Sequence, residues 1–196
     1  MEKHVVMSEP DLRQFAADLL VASGSSREDA ERVAGSLVWA DLRGRHQQGV
    51  FRIPVLAKML KNGIITSPTT MTFEPLGPTM ARLDAGNGFG QIAGELAMRK
   101  AVSFAETLGL GLVAVKGSNH YGAASFFCSI AAEAGFLGMT FTNATPKVAP
   151  YGGTKAIFGT NPVAFGCPTS SGRPILVDFS TSSIAGPTIR NQNEKG

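Results

Sequence analysis

The sequence contains few of the residues that build several classes of protein. Two cysteines among 196 residues are too few for the disulfide framework of a small secreted domain. Both lie in apolar surroundings, which predicts that Cys128 and Cys167 are buried, reduced thiols. Charged residues make up only 17% of the chain and form no basic run, so we expect no nucleic-acid partner. Histidine and cysteine form no metal-ligand cluster in the sequence, and we expect no metal ion.

Long apolar runs are also missing. No stretch reaches the roughly 20 residues that a membrane-spanning helix needs, and the N-terminus lacks the basic-then-apolar layout of a signal peptide. These absences predict a cytoplasmic protein without a membrane partner. Apolar residues nevertheless make up 43% of the chain, and its 23 glycines lie mostly in short connections between apolar runs. This combination indicates a folded α/β protein with many short loops.

Residues 8–62 show the 3.6-residue apolar period of helices. Ser8 and Ser26 stand where N-cap residues are expected, and a third helix is predicted over residues 54–60. The apolar positions of the first helix are Leu12, Phe15, Leu19 and Leu20.

The pattern changes from residue 66 onward. Residues 66–79 are rich in proline and threonine and predict an extended linker, which leads into a strand at MARLDAG. Strands and helices then alternate up to residue 180, as in α/β proteins. We therefore expect a helical N-terminal lobe over residues 1–75 and an α/β domain over residues 76–196. An unpatterned polar tail follows the last predicted strand, so we expect the α/β domain to be incomplete at its C-terminus.

Three glycines in AGNGFGQ lie between a predicted strand and a predicted helix. The spacing of Gly86, Gly88 and Gly90 departs from the G-x-G-x-x-G fingerprint of Rossmann dinucleotide sites. A glycine-rich bend, which lets the backbone pass close to another element, fits this stretch better.

Polar residues cluster at the ends of several predicted strands. Ser118, Asn119 and His120 precede a helix, where backbone N–H groups and an imidazole can bind an anion or a carboxamide. Alternatively, Asn119 and His120 only satisfy backbone groups of the loop. Further polar clusters stand at positions where α/β proteins bind ligands. They comprise Thr160 and Asn161 before one strand, and Asp178, Ser180, Thr181 and Ser182 at the end of another.

The stretch DLRGRHQQGVFRIP, residues 41–54, joins two helical patterns. Its Arg52 can bind a carboxylate through two parallel hydrogen bonds, and its His46 can transfer a proton near neutral pH. The alternative is a solvated connection between helices.

Five motifs, taken in order, resemble the malate/L-lactate dehydrogenase family. They are RGRHQQGVFR, GSNHYG, FTNATPKVAPYGG, GTNP and VDFSTSS. This family also contains ureidoglycolate, sulfolactate and diketogulonate oxidoreductases and cyclic imino-acid reductases. The resemblance spans roughly residues 8–186 and implies that the chain corresponds to the N-terminal portion of a member.

The resemblance implies a non-Rossmann α/β fold and hydride transfer between NAD or NADP and a small 2-oxo or 2-hydroxy acid, or a related imino acid. It matches Arg52 to the arginine that binds the substrate carboxylate. We also expect a homodimer. The residues expected to bind the cofactor are Ser118, His120, Gly122, Thr142, Ala144, Thr160, Asn161, Asp178, Phe179, Ser180 and Thr181.

One departure from the family concerns the proton donor. Members usually have Ser-His-Gly where this chain has Gln47-Gln48-Gly49, and an amide does not exchange a proton at neutral pH. Reduction of a carbonyl leaves an alkoxide that needs a proton. His46 shares the loop with Gln48 and is expected to supply that proton, with His120 as the second candidate. The expected catalytic positions are thus His46, Gln48, Arg52 and His120. The alternative is a truncated, non-catalytic relative that retains nucleotide or partner binding.

Overall fold

The computed structural model describes residues 5–182. By its internal contacts the chain divides into two compact units, with the boundary between Ala123 and Ala124. The predicted lobe boundary at residue 75 falls inside the first unit and stays a prediction. The α/β domain was expected to be incomplete because of its polar C-terminal tail. From residue 183 onward this tail lies outside the described residues.

Three helices begin the first unit. They are α1 (Glu9–Ala22), α2 (Arg27–Asp41) and α3 (Ile53–Lys61). Both predicted N-caps are confirmed, because the hydroxyl of Ser8 accepts from the Asp11 N–H at 3.3 Å and that of Ser26 accepts from the Asp29 N–H at 3.2 Å. These bonds satisfy backbone donors that have no partner within the helix. The predicted third helix is likewise confirmed.

The buried face of α1 consists mainly of small side chains. Ala16, Ala17 and Leu20 are buried in a core that α1 shares with α2, whereas Phe15 and Leu19 are 51% and 38% exposed. The apolar period follows the large side chains, but alanines form most of the contact face. The predicted helix is therefore confirmed, and only part of its apolar period is buried.

The first unit also contains a three-stranded sheet. Its strands are β1 (Thr72–Gly77), β2 (Met80–Asp84) and β3 (Leu112–Lys116), and α4 (Gly90–Leu108) connects the last two. Strand β2 pairs antiparallel with β1 and parallel with β3. Residues 72–77 were expected to be linker and instead form an edge strand, which corrects that prediction. An edge strand tolerates Pro75 because it pairs on one side only.

The second unit consists of one helix and an antiparallel sheet. It contains α5 (Ala124–Glu133), β4 (Gly138–Phe141), β5 (Val163–Cys167) and β6 (Ile175–Phe179), in the order β4-β5-β6 within the sheet. Helix α5 contacts all three strands. Cys128 on α5 is fully buried, as predicted. Cys167 is exposed at the end of β5, opposite the exposed Ile175, so its predicted burial is wrong.

Both units combine helices with a sheet, and the predicted α/β class is confirmed. The first sheet is mixed and the second entirely antiparallel, unlike the mostly parallel sheet of a Rossmann domain. Within residues 5–182, no helix is long and apolar enough to cross a membrane.

Candidate active site

The carboxylate of Asp41, the last residue of α2, organises the loop that leads to α3. Its Oδ1 lies 2.9 Å from Nδ1 of His46, and its Oδ2 accepts a hydrogen bond from the N–H of Val50 at 2.8 Å. A Cβ built on Gly49 would lie 2.2 Å from the same carboxylate, so a larger residue at position 49 would displace the carboxylate. The Asp41 side chain is 13% exposed and the His46 side chain 75% exposed. A largely buried carboxylate thus holds an imidazole at the surface.

Two short 3-10 turns, His46–Gln48 and Val50–Arg52, form the rest of this loop. We refer to residues 41–52 as the His46 loop. Oε1 of Gln48 is buried and has no hydrogen-bond partner within the described part of the chain, and Nε of the half-buried Arg52 is buried as well. The loop brings together three of the four predicted catalytic positions, and His120 lies on a different loop.

That second loop follows β3 and is tied to the glycine bend before α4. The side-chain amide of Asn119 donates to the carbonyls of Asn87 at 2.8 Å and Gly88 at 3.0 Å. A Cβ on Gly90 would lie 2.2 Å from the carbonyl oxygen of Asn119. The interpretation of AGNGFGQ as a close-approach bend is therefore confirmed, and Asn119 satisfies loop carbonyls.

Ser118, His120 and Gly122 lie on this same loop. The N–H of Gly122 donates to Nδ1 of His120 at 3.2 Å, and the hydroxyl of Ser118 donates to the Asn119 carbonyl at 3.4 Å. The imidazole of His120 is exposed. The loop therefore holds the His120 ring through a backbone donor, whereas the His46 ring is held by a carboxylate.

Two residues of the first unit, Asp41 and Gln91, were not predicted from the sequence as part of the candidate site. Asp41 had a usable signal, because it ends a helical pattern five residues before His46. Gln91 had none, since a glutamine in the first turn of a helix is ordinary. Gln91 is 2% exposed, and neither atom of its amide group has a hydrogen-bond partner among residues 5–182.

In the second unit, several predicted cofactor-binding residues form one hydrogen-bonded group, which we call the strand-end cluster. It lies where β4 ends, β5 begins and β6 ends. The carbonyl of Thr160 accepts from the Ser180 hydroxyl at 3.0 Å, and from the N–H and hydroxyl of Thr181 at 3.0 and 3.2 Å. Oδ1 of Asn161 accepts from the Ala144 N–H at 2.9 Å. Thr142, next to this group, donates through its hydroxyl to the Asn143 carbonyl at 3.1 Å.

Asp178 and Phe179 are consecutive in β6 and point to opposite faces of the sheet. Oδ2 of Asp178 accepts from the backbone N–H and the hydroxyl of Ser125 at 3.0 and 2.9 Å, at the start of α5. The Phe179 side chain is 49% exposed. Burial raises the pKa of the Cys128 thiol to about 12, and the negative charge of Asp178 contributes to the shift. Asp178 is therefore directed at α5, while Phe179 projects from the outer face.

The fold and these loops define a mixed α/β protein outside the Rossmann class, with an imidazole and a guanidinium on one loop and neutral polar groups at strand ends. The chain belongs to the malate/L-lactate dehydrogenase family, whose pattern matches residues 7–196. The predicted family and fold are thus confirmed.

Relatives of known sequence include malate dehydrogenase from Pyrococcus abyssi, 39% identical over all of this chain and 54% of that protein. Ureidoglycolate dehydrogenase (NAD(+)) from Escherichia coli is 35% identical over 90% of this chain and 50% of that protein. The chain spans about half the length of the curated relatives it matches.

Solved structures of dehydrogenases and reductases are also similar to this chain. Malate dehydrogenase from Entamoeba histolytica superposes with a TM-score of 0.93 at 32% identity, over 99% of this chain and 54% of the other. The delta1-piperideine-2-carboxylate reductase from Pseudomonas syringae also gives 0.93 at 32% identity, over 98% of this chain and 58% of the other.

Proposed function

We propose that this chain is part of an oxidoreductase that transfers a hydride between NAD or NADP and a small 2-oxo or 2-hydroxy acid, or a related imino acid. The observation that carries the proposal is the His46 loop, where Asp41 holds an imidazole in the turn that precedes Arg52. Relatives named malate, ureidoglycolate and sulfolactate dehydrogenase and a cyclic imino-acid reductase support this class of reaction. A cytoplasmic location is part of the same proposal.

The strand-end cluster suits a nicotinamide cofactor in the chemistry of its groups. Hydroxyls of Ser180 and Thr181 and the amide of Asn161 are neutral donors and acceptors, which match ribose hydroxyls and a carboxamide. Their positions are held by the Thr160 carbonyl and the Ala144 N–H. We assign cofactor contacts to this cluster with Thr142, Asp178 and Phe179, and to Ser118, His120 and Gly122.

A nicotinamide held by these groups would supply or accept the hydride. Arg52 holds the substrate carboxylate, because its guanidinium donates two parallel hydrogen bonds that match the two oxygens. In the reductive direction the His46 imidazolium releases its Nε2 proton to the substrate oxygen, which becomes a hydroxyl, and the ring becomes neutral. In the oxidative direction Nε2 takes the hydroxyl proton back.

A second candidate is a relative that binds a nucleotide without catalysis. The observation in its favour is Gln48, an amide where the resemblance implies a histidine, whose Oε1 is buried. Nicotinamide fluorescence during titration with NADH and NADPH tests binding, and a panel of 2-oxo acids and cyclic imines tests turnover. Turnover of any panel member supports the oxidoreductase, and binding without turnover supports the second candidate. A chain that shows no cofactor binding and no turnover would contradict both candidate functions.

We further propose that the protein is a homodimer. Support comes from the outer face of the β4-β5-β6 sheet, where exposed apolar side chains on neighbouring strands favour association. They are Met139, Phe141, Ile175, Val177 and Phe179, between 46% and 67% exposed. Phe141→Ser should shift the sedimentation profile toward monomer, whereas Phe51→Ser, at an exposed position of the first unit, should leave it unchanged. A monomeric wild-type protein would contradict the proposal.

A further inference from the structure

The two described histidines meet opposite kinds of partner at Nδ1. Nδ1 of His46 lies 2.9 Å from a carboxylate oxygen of Asp41, and Nδ1 of His120 lies 3.2 Å from the backbone N–H of Gly122. An ionised carboxylate can only accept a hydrogen bond, so neutral His46 carries its proton on Nδ1. A backbone N–H can only donate, so neutral His120 carries its proton on Nε2. The two imidazoles therefore have opposite tautomers.

Asp41 is held firmly enough to impose this choice on His46. Its second carboxylate oxygen accepts the Val50 N–H at 2.8 Å, so rotation of the carboxylate would break a backbone hydrogen bond. Gly49 packs against the same group, where any Cβ would collide with it. The Asp41 side chain is 13% exposed, which leaves little access for water to replace His46 as its partner.

The tautomer decides which nitrogen of His46 can do chemistry. With Nδ1–H directed at Asp41, the lone pair on Nε2 belongs to the part of the ring that is not engaged by the carboxylate, and the side chain is 75% exposed. A small molecule can therefore reach a nitrogen that accepts a proton. His120 instead presents an N–H at Nε2, which is a hydrogen-bond donor and not a base.

We propose that Asp41 is the positioning residue for proton transfer by His46, and that the two histidines have different tasks. This inference rests on the proposed function. When a 2-hydroxy acid is oxidised, Nε2 of His46 takes the hydroxyl proton, and a bound nicotinamide would accept the hydride from carbon 2. The resulting imidazolium keeps its Nδ1–H directed at the Asp41 carboxylate, and reduction reverses each transfer. His120 keeps its proton throughout and donates a hydrogen bond.

Nuclear magnetic resonance of the ¹⁵N-histidine-labelled chain tests the inference directly. The sequence has only three histidines, at positions 4, 46 and 120, so His46→Asn and His120→Asn variants assign every signal. In a two-bond ¹H–¹⁵N spectrum of neutral imidazoles, His46 should show a protonated Nδ1 and His120 a protonated Nε2. A wild-type His46 that is protonated on Nε2 would overturn the inference without any variant.

Asp41→Asn sharpens the test. Its amide oxygen can still accept the Val50 N–H, while its NH₂ group donates to Nδ1 of His46 and forces the proton onto Nε2. The His46 tautomer should therefore switch, and that of His120 should remain. Asp11→Asn is the matched control. Asp11 is a carboxylate on α1 that accepts a hydrogen bond from the hydroxyl of Ser8 and not from a histidine. Its replacement should leave both tautomers unchanged. A folded Asp41→Asn chain with an unchanged His46 spectrum would contradict the role of Asp41.

Turnover separates failure of this inference from failure of the proposed function. The tautomers are measured without cofactor or substrate, so opposite tautomers in a chain without activity contradict only the proposed function. With activity present, Asp41→Asn should lower kcat by on the order of 100-fold, within the range for loss of a positioned acid or base. The KM for the 2-oxo acid should change little, because Arg52 still binds its carboxylate. An unchanged kcat would contradict the positioning role.

Discussion

The His46 loop and the strand-end cluster hold their side chains by different means. In the His46 loop a single carboxylate, that of Asp41, binds both an imidazole and a backbone N–H. In the strand-end cluster a neutral backbone carbonyl, that of Thr160, accepts three hydrogen bonds. Hydrogen bonds to charged groups are worth about 1.5–3 kcal/mol and neutral ones about 0.5–1.5 kcal/mol. We infer that the loop is built for steps that change charge, and the cluster for holding uncharged groups in place.

The largest difference is expected between the two histidines. His46→Asn should lower kcat by about 10²–10⁴-fold, because it removes the acid and base of the reaction. His120→Asn should chiefly weaken cofactor binding, since its imidazole is a donor held by Gly122. Steady-state kinetics and nicotinamide fluorescence measure the two effects. An unchanged kcat in His46→Asn would leave the His46 loop as a polar turn with Arg52 as its only chemical residue.

Arg52→Lys should raise the KM for the 2-oxo acid by roughly 10- to 100-fold, since an ammonium cannot reproduce the two parallel hydrogen bonds of a guanidinium. The matched control is Arg43→Lys. Arg43 belongs to the same loop, but its guanidinium lies 3.8 Å from the ring centre of Trp39, and its replacement should leave KM unchanged. Equal KM values for wild type and Arg52→Lys would remove Arg52 from the binding site.

The carboxylates of Asp41 and Asp178 each accept a backbone N–H and should differ in their effect on stability. Asp41→Ala should lower the free energy of unfolding by about 2 kcal/mol, because both oxygens of a largely buried carboxylate lose hydrogen bonds to the loop. Asp178→Ala should lower it by about 1 kcal/mol, similar to the loss of an N-cap, since its Oδ2 accepts the backbone N–H and the hydroxyl of Ser125 at the start of α5. Urea denaturation measures both values. The reverse order would show that the contact between β6 and α5 depends more on its carboxylate than the His46 loop does.

The smallest effect concerns the thiols of the second unit. At pH 8 one thiol per chain should react with a disulfide reagent, because Cys167 is exposed and the pKa of buried Cys128 is raised to about 12. Asp178→Asn should leave the count at one, since burial is the larger cause of the shift. Two reactive thiols in the native wild-type protein would contradict the packing of α5 on the sheet.

Most of the fold could be predicted from the sequence, but less of the candidate site could. Helix caps such as Ser26 act over three residues, and a local pattern reveals them. The exposure of Phe15 depends on which face of α1 meets α2, and the strand at residues 72–77 depends on a partner further along the chain. Neither is a local property.

In the candidate site, too, the local features were predicted and the contacts between separate segments were not. Motifs placed His46 and Arg52 on one loop, and the structure keeps them there. The role of Asp41 was missed because it requires the chain to turn back between α2 and the first 3-10 turn. The grouping of Thr160 with Ser180 depends on strand pairing, which residue types alone do not specify.

Transfer of deuterium tests the central claim most directly. The protein is incubated with nicotinamide cofactor deuterated at the transferred position and with the panel of 2-oxo acids and cyclic imines, and the products are analysed by mass spectrometry. The proposed function predicts that at least one substrate is reduced and gains a single deuterium on the carbon that carried the double bond. A product without deuterium, or no product from any substrate with either NADH or NADPH, would contradict it.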